Sequence, residues 1–271
     1  VVVQNRDAFE LRYGASINVL GQFASGRLSN GGENLTLVDS QSQSILDFSY
    51  GDSDPWPIRA DGHGATIEVI DPVGTPVAEY GKYYHWRGST EFAGSPASAG
   101  QGPVGVVINE VLAHTDPPVT QSDSIELINT TNSPINISGW YLSDSANNLF
   151  KYQIPVSPLL GPGQYRVFDE DDFNPTPLSP SPHHFALSGA QGDQVWLVKP
   201  NSAGGIGSFI DDVHFRASLN GESFGRLPDG SGRLAPMTQV TLGSANDDAR
   251  VGPLVISGLN YNPGAPSAAA L

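Results

Sequence analysis

Phe23–Asp39 reads FASGRLSNGGENLTLVD, and Phe185–Lys199 reads FALSGAQGDQVWLVK. Each runs from a Phe through a Gly-containing turn into an alternating segment. In NLTLVD, Leu35 and Leu37 point to one face of a strand while Asn34 and Thr36 point to the other. SNGGE supplies residues that accept positive φ, so it reads as a tight turn feeding that strand. The same alternation recurs in Ala65–Ile70 (ATIEVI), Ser124–Asn129 (SIELIN) and Gln194–Lys199 (QVWLVK), with Gly, Pro, Asn, Asp and Ser between. Helical periodicity is almost absent. Many short strands between frequent turns predict an all-β chain, a sandwich or a barrel.

The likeness of the two stretches extends along the chain. VVVQNRDAF (Val1–Phe9) aligns with YRVFDEDDF (Tyr165–Phe173): a strand, an acidic turn, then Phe. ILDFSYGDSDPWP (Ile45–Pro57) aligns with FIDDVHFRASLNG (Phe209–Gly221), and DGHGATIEVI (Asp61–Ile70) with NGESFGRLPDG (Asn220–Gly230). A third match, GPVGVVINEVLAH (Gly102–His114), returns shortened as GPLVISGLNYNP (Gly252–Pro263). The offsets are on the order of 150 residues, a domain-sized period, unlike the roughly 20–50 of solenoid repeats. Their phase predicts a complete unit over residues 101–250. Residues 1–100 then form the C-terminal part of an earlier unit lacking its N-terminal strands. Residues 251–271 are the first strand of a further repeat or a tail.

Composition narrows the function. Charged residues make up 15% of the 271 residues, against a usual share of about 25%. With 31 Gly and 22 Pro this describes a turn-rich globular chain. The net charge of −15 argues against a nucleic-acid partner, which needs clustered Lys and Arg. Without any cysteine the chain has no disulfide, no thiol chemistry and no Cys-bound zinc. No apolar run approaches the roughly 18 residues of a membrane helix. The opening VVVQ and the single Met237 suggest a processed chain or a piece of a longer one.

VVINEVLAH, DSIELINTTNSPINISGWYLSD (Asp123–Asp144), LGPGQYRVF and HFALSGAQGDQVWLV resemble the lamin-tail domain. The first hundred residues resemble its other half through VVVQNRDAFELRYG, GRLSNGGENLTLVD, FSYGDSDPWPIRADGHGATIEV and AGSP. The resemblance implies tandem immunoglobulin-like β-sandwiches, in a family whose members often sit within large exported bacterial proteins. It carries over no catalytic residue.

Few residues offer chemistry. GESFG matches the nucleophile elbow around Ser223, but it lies in a β segment followed by LPDG where a helix is needed. The histidines show no metal-binding spacing, and GGIGSF lacks the Lys of a phosphate loop. Trp140 in ISGWYLSD is placed in the core. Trp196, opposite in phase to Val195 and Leu197, is expected to be exposed and is a candidate ligand contact. Trp56, between two prolines, either packs a sandwich end or touches a partner. Asp169, Asp171 and Asp172 form the densest acidic cluster, and Asn246, Asp247 and Asp248 sit at a unit junction. Both are candidate calcium ligands, with solvated turns as the plainer reading. Asn34, Asn129 and Asn136 stand in glycosylation triplets.

The expectation is a non-catalytic, extracellular or cell-surface repeat module of a larger structural, adhesive or filament-forming protein, with no cofactor unless calcium. Its partners are other copies or neighbouring repeats, with Leu254–Asn260 as a conceivable donor strand. The alternative is a glycan- or polymer-binding accessory module of an exported enzyme.

Overall fold

The structure, a computed structural model, describes residues 1–23, 25–156, 159–179, 181–252 and 256–259. The donor-strand expectation at Leu254–Asn260 therefore falls partly outside the described residues; within it, residues 256–259 are exposed and form no strand.

The first hundred residues contain β1 (Val2–Val3), α1 (Arg6–Tyr13), β2 (Gly21–Gln22), β3 (Glu33–Val38), β4 (Ser44–Tyr50), β5 (Ile67–Val69) and β6 (Trp86–Gly88). They are followed by β7 (Val106–Leu112), β8 (Ser124–Asn129), β9 (Tyr141–Ser143), β10 (Tyr152–Gln153) and β11 (Tyr165–Asp169). The series closes with α2 (Glu170–Phe173), β12 (Gly192–Pro200), β13 (Ile206–Arg216), β14 (Ser223–Leu227) and β15 (Arg233–Pro236). Among the described residues no helix is long and apolar enough to cross a membrane.

From β7 onward two antiparallel sheets face each other, in the orders β10-β9-β12-β13 and β11-β8-β7-β14-β15. Their inner faces supply one core, including Ile108, Val111, Ile125, Leu127, Leu142 and Leu197. Trp140 joins that core, as its phase in the strand predicts. The fold is the all-β, immunoglobulin-like sandwich expected.

The first half builds less. β1 pairs with β2 in parallel, and β3-β4 and β5-β6 are separate two-stranded antiparallel pairs. Phe48 of β4 stacks on Trp86 of β6 with centroids 5.4 Å apart, which holds those two pairs together. A strand and an acidic turn are expected over Val1–Phe9; the strand is β1, but in place of the turn the chain winds α1, capped by Asn5, whose Oδ1 accepts from the Ala8 amide at 2.9 Å. None of its residues is buried, so no apolar stripe announces it in the sequence.

Local geometry is alike at several of the aligned positions. Asn5 caps α1 as Asp169 caps α2. Gly32 before β3 and Gly192 at the start of β12 both take positive φ, +81° and +86°. In each case a Cβ would strike a carbonyl of the opposite strand, Tyr50 or Phe215. The β3-β4 register slips between Leu37 and Val38, and the β12-β13 register between Leu197 and Val198. The two hairpins differ in their neighbours: β12 lies between β13 and β9, whereas β3 pairs with β4 alone.

Candidate functional site

The polar residues of the sandwich converge where a bulge interrupts β7. Ile108 pairs with Leu127 and Glu110 with Glu126, leaving Asn109 as the extra residue. Two successive side chains, Asn109 and Glu110, thereby leave the core face together. Beside them stand Glu126 of β8 and Ser223 of β14, and all four are buried.

Burial comes from a strap over residues 237–249, closed at its base by Met237 and Ala249. Glu110 accepts from Ser223 Oγ at 2.5 Å, from the Thr241 amide at 3.0 Å and from Thr241 Oγ1 at 2.8 Å. Glu126 accepts from Asn109 Nδ2 at 2.9 Å and from the Gly243 amide. Asp229 accepts from Asn109 Nδ2, the Asn246 amide and the Tyr165 hydroxyl, at 3.0, 3.0 and 2.7 Å. Asn246 Nδ2 donates to the carbonyls of Asn109 and Arg226. A Cβ at Gly225 would come within 2.8 Å of Met237 Sδ and 2.9 Å of Asn246, so the close approach of strap to β14 needs glycine there. Burial pushes the Glu126 carboxyl up to about 7, and Glu110 and Asp229 add to the rise while its two donors oppose it. Tyr165 is pushed up as well, first by burial and then by its bond to Asp229.

These contacts absorb the nucleophile-elbow motif. Ser223 lies inside a strand with its hydroxyl held by Glu110, and Gly225 makes room for the strap. They also engage one of the candidate calcium sets. Asn246 is tied as above, and Asp247 accepts from Thr238 Oγ1 and Gln239 Nε2. In the other set, Asp169 and Asp172 form a reciprocal capping box on α2, while Asp171 is exposed. Among the described residues no group of three or more His, Cys, Asp or Glu side chains is arranged to hold a metal ion.

The opposite face of the molecule carries a correction. Trp196 is not exposed: its relative exposure is 0%, among Ala65, Leu149, Val198 and Phe209. Alternation places it on the outer face of its sheet, as expected, but the first half of the chain lies over that face. His63 meets its ring edge-on at 5.4 Å, and Phe92 stacks on Phe209 at 6.4 Å. The Phe209 amide donates to the Thr90 carbonyl at 2.8 Å, and Glu91 bridges to Ser208. Arg59 pairs with Asp212 at 3.4 Å. Burial raises the Asp212 carboxyl, against the pull of Arg59, and lowers the His214 imidazole. Nothing in the sequence pattern says what covers an outer face, so this contact was not legible there.

Trp56 is half-buried, 6.1 Å from Trp86, and lines a cleft of about 520 Å³ with Asp54, His214, Phe215, Arg216 and Arg233. Of the glycosylation triplets, Asn34 and Asn136 are exposed. Asn129 is buried, its amide donating to the carbonyls of Ser133 and Leu160, so that side chain is taken by the fold.

Residues 99–215 match the family model of the lamin tail domain. No curated protein and no solved structure matches the chain. The matched segment spans the four-stranded sheet and three strands of the other. β14, β15 and the strap lie beyond the matched range, yet they cover the β7 edge and bury Glu110 and Glu126. The segment is an immunoglobulin-like module, and its Asn109, Glu110 and Glu126 hold the strap against it.

Proposed function

We propose that this chain is a non-catalytic structural module of an extracellular or cell-surface protein, made of lamin-tail units in tandem and serving an adhesive or filament-forming assembly. One observation carries the reading: the first half is fixed to the lamin-tail segment through a buried contact, Trp196 and Phe209 under Ala65, His63 and Phe92, with the Arg59–Asp212 pair beside it. Such a contact spends the outer face of a sheet on joining units. The acidic, cysteine-free composition suits a salty exterior. Partners are further repeats or copies, with Leu254–Asn260 as a donor; that segment repeats β7, whose neighbour β14 corresponds to β5. Calcium at Asp169–Asp172 or Asn246–Asp248 would act, if bound, at the helix cap or the strap. The test is protease shaving of intact source cells, followed by detection with an antibody to residues 99–215. Surface-released fragments are expected, and a fragment protected until lysis would sink the reading.

A second reading is a glycan-binding accessory module, favoured by the Trp56 cleft with its arginines and acids. Trp56→Ala should then abolish binding on a glycan array; an array unchanged by the substitution removes it.

A further inference from the structure

We propose that the outer edge of β3 is an acceptor for one particular strand, of the kind formed by residues 137–144 (ISGWYLSD), carried by a further lamin-tail unit. The inference rests on the tandem reading above and names the partner of that first unit.

The β3-β4 and β12-β13 hairpins share a positive-φ glycine at entry and a bulge after the same Leu, so Leu37 corresponds to Leu197 by geometry as well as by sequence. At the strand edge itself, β12 has a neighbour that β3 lacks. On β12, β9 pairs as Trp196 with Ser143, Leu197 with Leu142 and Val198 with Tyr141. On β3 that side is vacant: among the described residues no backbone hydrogen bond joins it to another segment. The side chains along this edge are accessible, Leu37 being 54% and Val38 49% exposed.

An unpaired edge with apolar side chains is a template for strand addition. The β12 register transfers directly: Thr36 opposite Ser, Leu37 opposite Leu, Val38 opposite Tyr. The incoming Leu then lies on the side of Leu35, Leu37, Leu46 and Phe48, where Phe48 already stacks on Trp86. The incoming Ser lies on the other side, beside the hydroxyl of Thr36. No charged side chain occupies β3 between Asn34 and Val38, so nothing there repels an apolar strand. A β7-like strand fits less well, because the β7 register belongs to the β14 edge.

The absence of cysteine makes a register test clean. T36C, L37C and V38C variants of the full chain are each mixed with synthetic ISGWYLSD peptides carrying one cysteine at the Ser143, Leu142 or Tyr141 position, in a glutathione buffer. Matched pairs (T36C with Ser, L37C with Leu, V38C with Tyr) should form mixed disulfides several-fold faster than mismatched pairs, and a shuffled peptide should not trap. Equal trapping for all registers or for the shuffled peptide overturns the inference. So does preferential disulfide formation between two L37C chains, which would mark β3 as a contact between copies. Hydrogen exchange on the unsubstituted chain gives an independent arm: the unmodified peptide should slow exchange across residues 34–38, and unchanged exchange there overturns the inference. Failure here with surface release intact removes the acceptor edge alone; trapping with no surface release removes the module reading alone.

Discussion

Glu126 is fully buried beneath the strap, and its carboxyl is raised from 4.5 to about 7 chiefly by that burial. A folded-state pKa above the unfolded one means that the folded state binds the proton more tightly. The stabilisation linked to Glu126 is therefore full below about 4.5 and is lost as pH rises through about 7. Asp123, raised by burial to about 6, acts in the same direction. Urea unfolding should show wild type losing stability relative to E126Q between about pH 5 and about pH 8, and a constant difference would contradict the buried-carboxyl account. Asp169 offers a second test at this scale. If it serves as the cap of α2, D169A should cost about 1 kcal/mol and D169N only a few tenths, since Asn caps as well as Asp. Thermal unfolding of the two variants separates capping from a role that needs the negative charge.

The two bulged hairpins set the comparison between elements. β12-β13 lies in a four-stranded sheet and contributes Val195 and Leu197 to the core, whereas β3-β4 stands alone with every residue at least partly exposed. Amides of β12-β13 should exchange far more slowly than those of β3-β4 under native conditions; equal protection would show that β3 already has a partner. These strands were also the most readable parts of the chain. Alternation identifies Leu35, Leu37, Val195, Leu197 and Trp140 by phase, and the glycine before each hairpin marks the turn. The bulge in β7 defeats the same rule, because it turns Asn109 and Glu110 outward together and so assembles a polar network that strict alternation would split. α1 escapes notice for the opposite reason, having no buried face to impose a period. Trp196 shows the remaining limit: phase gives the face of a sheet, while its cover comes from residues more than a hundred positions away.

At the scale of the whole molecule, the Trp196 contact couples the halves. W196A removes the ring buried under His63 and Ala65 and should cost about 3–5 kcal/mol. Its effect should be uneven, with the first hundred residues unfolding in a separate, earlier calorimetric transition; a single transition shifted as a whole would mean the halves are held elsewhere. The strap has a different consequence, one of timing. Glu110 and Glu126 leave the ribosome more than a hundred residues before Thr241 and Gly243, whose amides donate hydrogen bonds to them. Through that interval both carboxylates stay hydrated and the β7 edge waits for β14, so synthesis of the last residues of the unit is what seals it. Biosynthesis thus imposes an order on this fold: the N-terminal half emerges first and acquires its hydrophobic cover late, while the final closure belongs to a segment outside any strand.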